Sequence, residues 1–123
     1  MTRGRFEQQI VWMYSDDLAR HAAFYEEVMG LPLIADQGAC RIFRVSPDGC
    51  LGLCDTAGRP RGTDGFLFTF LVADLAATRA DLAARGVRFE TPPGGAGGPG
   101  VHSHFFRDPQ GYWLEIQALA DLG

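Results

Sequence analysis

An α+β fold built from two copies of one unit, each a strand, a helix and three further strands, is predicted by three features of the sequence. A change from strand to helical period occurs twice, a glycine ends each helical run, and two hairpin turns of related composition, Ser-Pro-Asp-Gly and Asp-Pro-Gln-Gly, close the two halves.

The first change of period lies in QIVWMYSDDLARHAAFYEEVMG. Up to Ser15 the run is rich in β-branched and aromatic residues and reads as a strand. Beyond Asp16-Asp17, Leu18, Ala22, Tyr25 and Met29 fall at helical spacing, and Gly30 stands where a C-terminal cap belongs. In the second half FLFTFLV reads as a strand, Asp74 as a helix cap, LAATRADLAAR as the helix and Gly86 as its stop. Short strands are expected over 33–39, 41–45 and 50–55 in the first copy, and over 87–91, 101–107 and 112–118 in the second. The modules then span about 5–56 and 65–119, joined by a linker at 57–64, within one domain of 123 residues.

Composition narrows the function classes. With 46% hydrophobic and 21% charged residues the chain has the profile of a folded domain. No apolar run approaches the roughly 20 residues of a membrane-spanning helix, and MTRGRFEQQ lacks the apolar stretch of a secretory signal, so a cytoplasmic address and no membrane partner are expected. The net charge is -4, lysine is absent and arginines do not cluster, which argues against a nucleic-acid partner. Cys40, Cys50 and Cys54 form neither an even set nor a CxxC pair, and free thiols in a reducing compartment are expected.

DDLARHAAFYEEVMGLPL and FRDPQGYWLEIQ together resemble the vicinal oxygen chelate superfamily, which includes glyoxalase I, bleomycin-resistance proteins, fosfomycin-resistance enzymes and extradiol dioxygenases. They are similar to its "D-L-x-x-x-x-x-F-Y-x-x-x-L-G-L" helix and its "D-P-x-G-x-x-x-E-I" ending, and the resemblance spans nearly the whole chain. It implies two βαβββ modules forming an open, cup-shaped mixed sheet, and a homodimer. Because this scaffold hosts lyases, dioxygenases, transferases and binders, the reaction does not follow from the fold.

Proline at the second and glycine at the fourth turn position predict, in both hairpins, a type I turn followed by a left-handed glycine and a bulge. In the first hairpin that register pairs Ser46 with Cys50, Arg44 with Gly52 and Ile42 with Cys54. It turns Phe43, Val45, Leu51 and Leu53 toward the helix. Arg44, Cys50 and Cys54 are then candidate ligand-binding residues, with Arg44 suited to a carboxylate or phosphate. In the second hairpin Arg107 pairs with Trp113, Phe105 with Glu115 and Ser103 with Gln117, so Ser103, Phe105 and Trp113 share the Glu115 face and are candidates for contact with a flat ligand. His102 and His104, tempting beside Glu115 as a metal site, fall on the other side with Leu114 and Ile116. Trp12 and Phe70 are expected in the core.

Metal-dependent members of the resembled family use four ligands. Of these positions only Glu115 is clearly kept; the others fall at Gly52, at Leu67 or Phe68, and at Gln9 or Ile10, depending on whether Asp16-Asp17 holds an insertion. Glu115 with Gln9 is too small a set to hold a divalent ion tightly. The preferred reading is a binder of a small organic ligand with no metal cofactor, with Gln9 among the contacts. The alternative is an enzyme centred on Glu115 as catalytic residue. It would be either a divergent lyase or dioxygenase whose divalent metal ion is held by Glu115 and Gln9 with a histidine outside the family's usual positions, or a metal-free acid-base catalyst. The loop TPPGGAGGPG matches GxGxxG literally, but a strand rather than a helix follows it, so nucleotide binding is not expected. Residues 94–100 read instead as a mobile loop beside the cup, a candidate lid.

Overall fold

The computed structural model describes residues 5–55, 57–95 and 102–122. The chain divides into two compact units, Met1–Arg61 and Gly62–Gly123.

The first unit runs β1 (Gln9–Ser15), α1 (Leu18–Ala23), β2 (Leu33–Asp36), β3 (Cys40–Ser46) and β4 (Gly49–Asp55), in a mixed sheet of order β1-β4-β3-β2 with β1 parallel to β4. Asp17 caps α1 by accepting the Arg20 amide at 3.2 Å. The helical run then widens into a π-helical turn over Phe24–Val28, and Gly30 follows at φ 71°. This helix packs on β4, over a core of Met13, Phe43, Leu51 and Leu53, with Ala22 and Tyr25 facing them. One polar pair sits in that core: Ser15 Oγ and His21 Nδ1 are 2.5 Å apart and both residues are 1% exposed, so each satisfies the other away from water.

The second unit repeats the plan with β5 (Leu67–Val72), α2 (Leu75–Ala84), β6 (Ser103–Arg107) and β7 (Trp113–Ala118), in the order β5-β7-β6 with β5 parallel to β7. Asp74 caps α2 through the Ala77 amide at 2.9 Å, and Gly86 follows the helix with φ 97°. Phe106, Leu114 and Ile116 are fully buried on the side of β7 on which α2 packs. The strand expected over 87–91 is reduced to one bridge, Glu90 to Phe105, with the Glu90 amide donating to the Phe105 carbonyl at 2.8 Å. Pro92-Pro93 follow immediately and supply no amide hydrogens, so the pairing cannot continue. Of the strand expected over 101–107, Val101 lies outside the described residues. Among the described residues no helix is long and apolar enough to cross a membrane.

The two hairpins differ by one residue. In the second, Gly111 has φ 105° and the pairs Arg107–Trp113, Phe105–Glu115 and Ser103–Gln117 form as the bulged turn predicts. In the first, Gly49 is not left-handed; it pairs with Ser46 across Pro47-Asp48, and the irregularity moves back to lie between Arg44 and Ser46. Arg44 therefore faces Cys50 rather than Gly52, and Ile42 faces Gly52 rather than Cys54. The cause is β1, which pairs Gln9 with Gly49 and draws that glycine into the sheet. Because the pairing moves by two residues, the faces are unchanged. Ile42, Arg44, Cys50, Gly52 and Cys54 still share one side, while Phe43, Leu51 and Leu53 bury against the helix.

The expectation of three free thiols is corrected. Cys40 and Cys54 lie directly opposite on β3 and β4 and form a disulfide; Cys50 alone is free, and buried. A spacing of 14 residues gives no hint of this pairing, which the hairpin creates.

Trp12, expected in the core, is 38% exposed and lies across Gly52 on the face turned away from α1. A Cβ built on Gly52 would stand 2.4 Å from the Trp12 ring, so the ring occupies the space a side chain at 52 would need. Gly52→Ala is expected to destabilise the protein by about 1–3 kcal/mol. In a Trp12→Ala background most of that cost should vanish, which a double-mutant cycle of denaturant unfolding reads directly.

Candidate functional site

The second unit holds a cavity of about 810 Å³ on the face of its sheet turned away from α2. Phe105, Trp113 and Glu115 of the terminal hairpin line it, with Leu67 from β5 and Phe66 just before that strand. Pro92, Pro93, Gly94 and Gly95 close one side and Asp64 stands at the rim. Residues 96–100 of the expected loop lie outside the described residues.

The register of this face depends on the turn that precedes β7. Asp108 is buried, and one of its carboxylate oxygens accepts the backbone amides of Gln110, Gly111 and Tyr112, each at 3.0 Å. Three bonds to one ionised acceptor hold the bulged turn shut, and the Asp108 amide closes it by donating to the Tyr112 carbonyl at 3.0 Å. Tyr112 packs edge-on against Phe66, with ring centres 5.0 Å apart, and so carries the turn's position to a wall of the cavity.

Glu115 is 7% exposed. Its register partner on β5 is Thr69, whose hydroxyl donates to Glu115 Oε1 at 2.5 Å. Sequence reasoning missed Thr69, because only the parallel pairing of β5 with β7 places it beside Glu115. The same pairing decides between Leu67 and Phe68: Leu67 shares the Glu115 face, whereas Phe68 pairs with Leu114 on the helix side. Ser103 has the expected parity but does not line this cavity; its hydroxyl is buried without a hydrogen-bond partner beside a smaller cleft of about 230 Å³ that also touches Arg79 and His104. Arg107 lies over the Trp113 ring at 5.2 Å, and Glu90 binds its guanidinium through two contacts of 3.1 and 2.7 Å, which hold its pKa above the ordinary value.

In the first unit several of the expected ligand-binding residues have partners within the protein. Arg44 donates to the Gln8 side chain at 2.7 Å and to the Pro47 carbonyl at 3.3 Å. The Cys50 thiol lies 3.9 Å from the same Gln8 oxygen. Cys54 has no thiol to offer, being bonded to Cys40. Gln9 alternates with Val11 and Met13 on the helix-facing side of β1, beside Gly49, so Ile10 rather than Gln9 shares the side of Trp12 and Gly52. The four family ligand positions thus hold Ile10, Gly52, Leu67 and Glu115, a single donor. Among the described residues no three His, Cys, Asp or Glu side chains gather where they could hold a metal ion.

The two hairpin histidines are committed elsewhere, as the bulged register requires. His104 pairs with Ile116 and accepts at Nδ1 from the Arg79 guanidinium at 2.6 Å, which places its proton on Nε2. His102 bonds Asp121 through both its backbone amide, at 2.8 Å, and its ring, at 3.1 Å.

Asp108→Ala is expected to cost about 2–3 kcal/mol of stability, since three amides lose a charged acceptor; Asp108→Asn should recover part of it in the same unfolding measurement. Burial, with the Arg79 charge beside it, holds the His104 pKa below its ordinary value. The unfolded chain therefore takes up this proton first, so the contribution of His104 is complete above about pH 6.5 and is lost as pH falls below it. Between pH 7.5 and 5.5, both about this window, the melting temperature of His104→Gln should fall less than that of the parent.

The sequence matches the family model of the Glyoxalase/Bleomycin resistance protein/Dioxygenase superfamily over residues 8–116. Among solved structures, TnmS3, an antibiotic binding protein from Streptomyces sp. CB03234, is 27% identical, with a TM-score of 0.68 over 96% of this chain and 98% of that one. A lactoylglutathione lyase from Agrobacterium tumefaciens is 22% identical, with a TM-score of 0.71 over 92% of each chain, and TioX from Micromonospora sp. ML1 is 18% identical, with a TM-score of 0.73 over 90% of this chain and 97% of that one. These last two speak to the fold alone. No curated protein matches the sequence. With the repeated module, the capped helices and the Asp-Pro-Gln-Gly hairpin in place, the match over residues 8–116 shows that the chain belongs to the glyoxalase/bleomycin resistance protein/dioxygenase superfamily.

Proposed function

We propose that the protein binds a small, flat organic molecule in the cavity of its second module, without a tightly bound metal ion. The observation that carries this reading is the cavity itself: about 810 Å³, walled by Phe66, Phe105 and Trp113, with one buried carboxylate, Glu115, oriented by Thr69. Such a volume suits a drug-sized molecule, and apolar walls with one fixed polar group favour binding with a defined orientation. The antibiotic-binding description of TnmS3 supports the same reading.

The donor chemistry supports the absence of a metal. Ile10 and Leu67 are hydrocarbons, and the ring of Trp12 fills the space above Gly52, so Glu115 lacks the companions a divalent ion needs. The resemblance of the chain to short members of its family supports a homodimer, for which sedimentation should give twice the chain mass.

Untagged protein prepared without chelators is expected to carry far less than one equivalent of zinc, nickel, iron or manganese; a stoichiometric metal lost on Glu115→Ala would overturn the metal-free reading. In a Trp12→Phe variant, which leaves Trp113 as the one indole, the neutral tricycle acridone should quench the fluorescence saturably. Phe105→Ala should weaken that binding about tenfold, the consequence of removing one apolar wall.

A further inference from the structure

We propose that the cavity of the second module selects organic cations: flat aromatic molecules bearing an ammonium or amidinium group that pairs with Glu115. This rests on the cavity being the ligand site and adds the chemical class of its ligand.

Among the described residues, the charged side chains lining the cavity are Asp64 and Glu115, both acidic. Glu115 is buried, and its one hydrogen bond among the described residues comes from a neutral hydroxyl, that of Thr69. A carboxylate carries two acceptor oxygens, and the single donor on Oε1 leaves Oε2 without a protein partner among the described residues. That oxygen belongs to a residue lining the cavity, so an incoming donor reaches it from there. Oε2 is not among the enclosed polar atoms left without a partner and is therefore open to the cavity, where a ligand that brings its own positive charge gains a charge-assisted bond that a neutral or anionic one does not.

The protein's own cation on this face does not answer the need. Arg107 shares the face through its pairing with Trp113, but both its Nε and its Nη2 are taken by Glu90. That pair cancels and leaves, among the described residues, Glu115 and the rim carboxylate Asp64 as the charges of the cavity. No lysine exists anywhere in the chain to intervene. The walls suit the same class: Trp113 already holds one guanidinium at 5.2 Å over its ring, and Phe66 and Phe105 offer further aromatic surface to a positive charge spread over a planar body. Cation, flat body and apolar walls are thus matched by separate features of one cavity.

Three tricycles of one shape test this by calorimetric or fluorescence titration near pH 8: 9-aminoacridine, a cation; acridone, neutral; and acridine-9-carboxylate, an anion. The cation is expected to bind at least about tenfold more tightly than acridone, and the anion most weakly, in keeping with a charge-assisted bond to a buried acceptor. Glu115→Gln keeps an acceptor for Thr69 but removes the charge. It should bring 9-aminoacridine to within a few-fold of acridone measured on the same variant, and Asp64→Asn should have a smaller effect. Equal binding of cation and neutral by the parent, or a preference for the cation that survives removal of both carboxylates, overturns the inference and leaves the ligand site standing. Failure of all three tricycles to bind overturns the ligand site itself.

Discussion

The register of the terminal hairpin governs the chemistry of this molecule. In a sheet the side chains alternate with a period of two, so a slip of one residue would exchange every face of β7, setting Leu114 and Ile116 in the cavity and Glu115 against the helix. The slip is prevented at Asp108, whose carboxylate gathers three consecutive amides into a bulge that only the left-handed Gly111 can complete. A buried acid in an otherwise apolar wall is thus placed by a turn rather than by anything near it. The same turn sends both hairpin histidines to the far side, where Arg79 and Asp121 engage them.

From that register the rest of the site follows by adjacency. Parallel pairing of β5 with β7 sets Thr69 beside Glu115, and antiparallel pairing with β6 sets Phe105 on its other flank. Tyr112, just after the turn, steadies Phe66 at the mouth. The loop that leaves the sheet at Glu90 closes a side with two prolines, whose rigid rings form a wall at little entropic cost. On the proposed function, binding strength and charge preference reside in separate groups, the rings supplying apolar contact and the carboxylates the sign of the field.

Much of this was legible in the sequence, and the parts that were not share a cause. Asp17, Asp74, Gly30 and Gly86 marked both helices because caps and stops act within a few residues of themselves. The faces of both hairpins were legible for the same reason. What depended on a third strand was not. Gly49 left the bulge because β1 captured it; Thr69 acquired its partner from β7; which of Gln9 and Ile10 shares the face of Gly52 followed only from the parallel register with β4. The disulfide is a further case, since Cys40 and Cys54 become opposite only when the first hairpin has its actual register. Local chemistry was readable along the chain, and chemistry created by non-local pairing was not.

The two modules show what one scaffold can do with the same pair of positions. Trp12 stands five residues before the cap Asp17, and Thr69 five residues before the cap Asp74; their partners are Gly52 and Glu115. One module therefore carries a ring over a glycine where the other carries a hydroxyl on an acid. This sets an order on any route by which the first module could gain a donor. A histidine or glutamate introduced at 52 meets the indole and is rejected, so Trp12 must shrink beforehand, and that step taken alone only opens a gap. A two-step path whose first step is unrewarded is a barrier to change, and it leaves the second module as the half of the chain in which single substitutions can reshape a cavity wall.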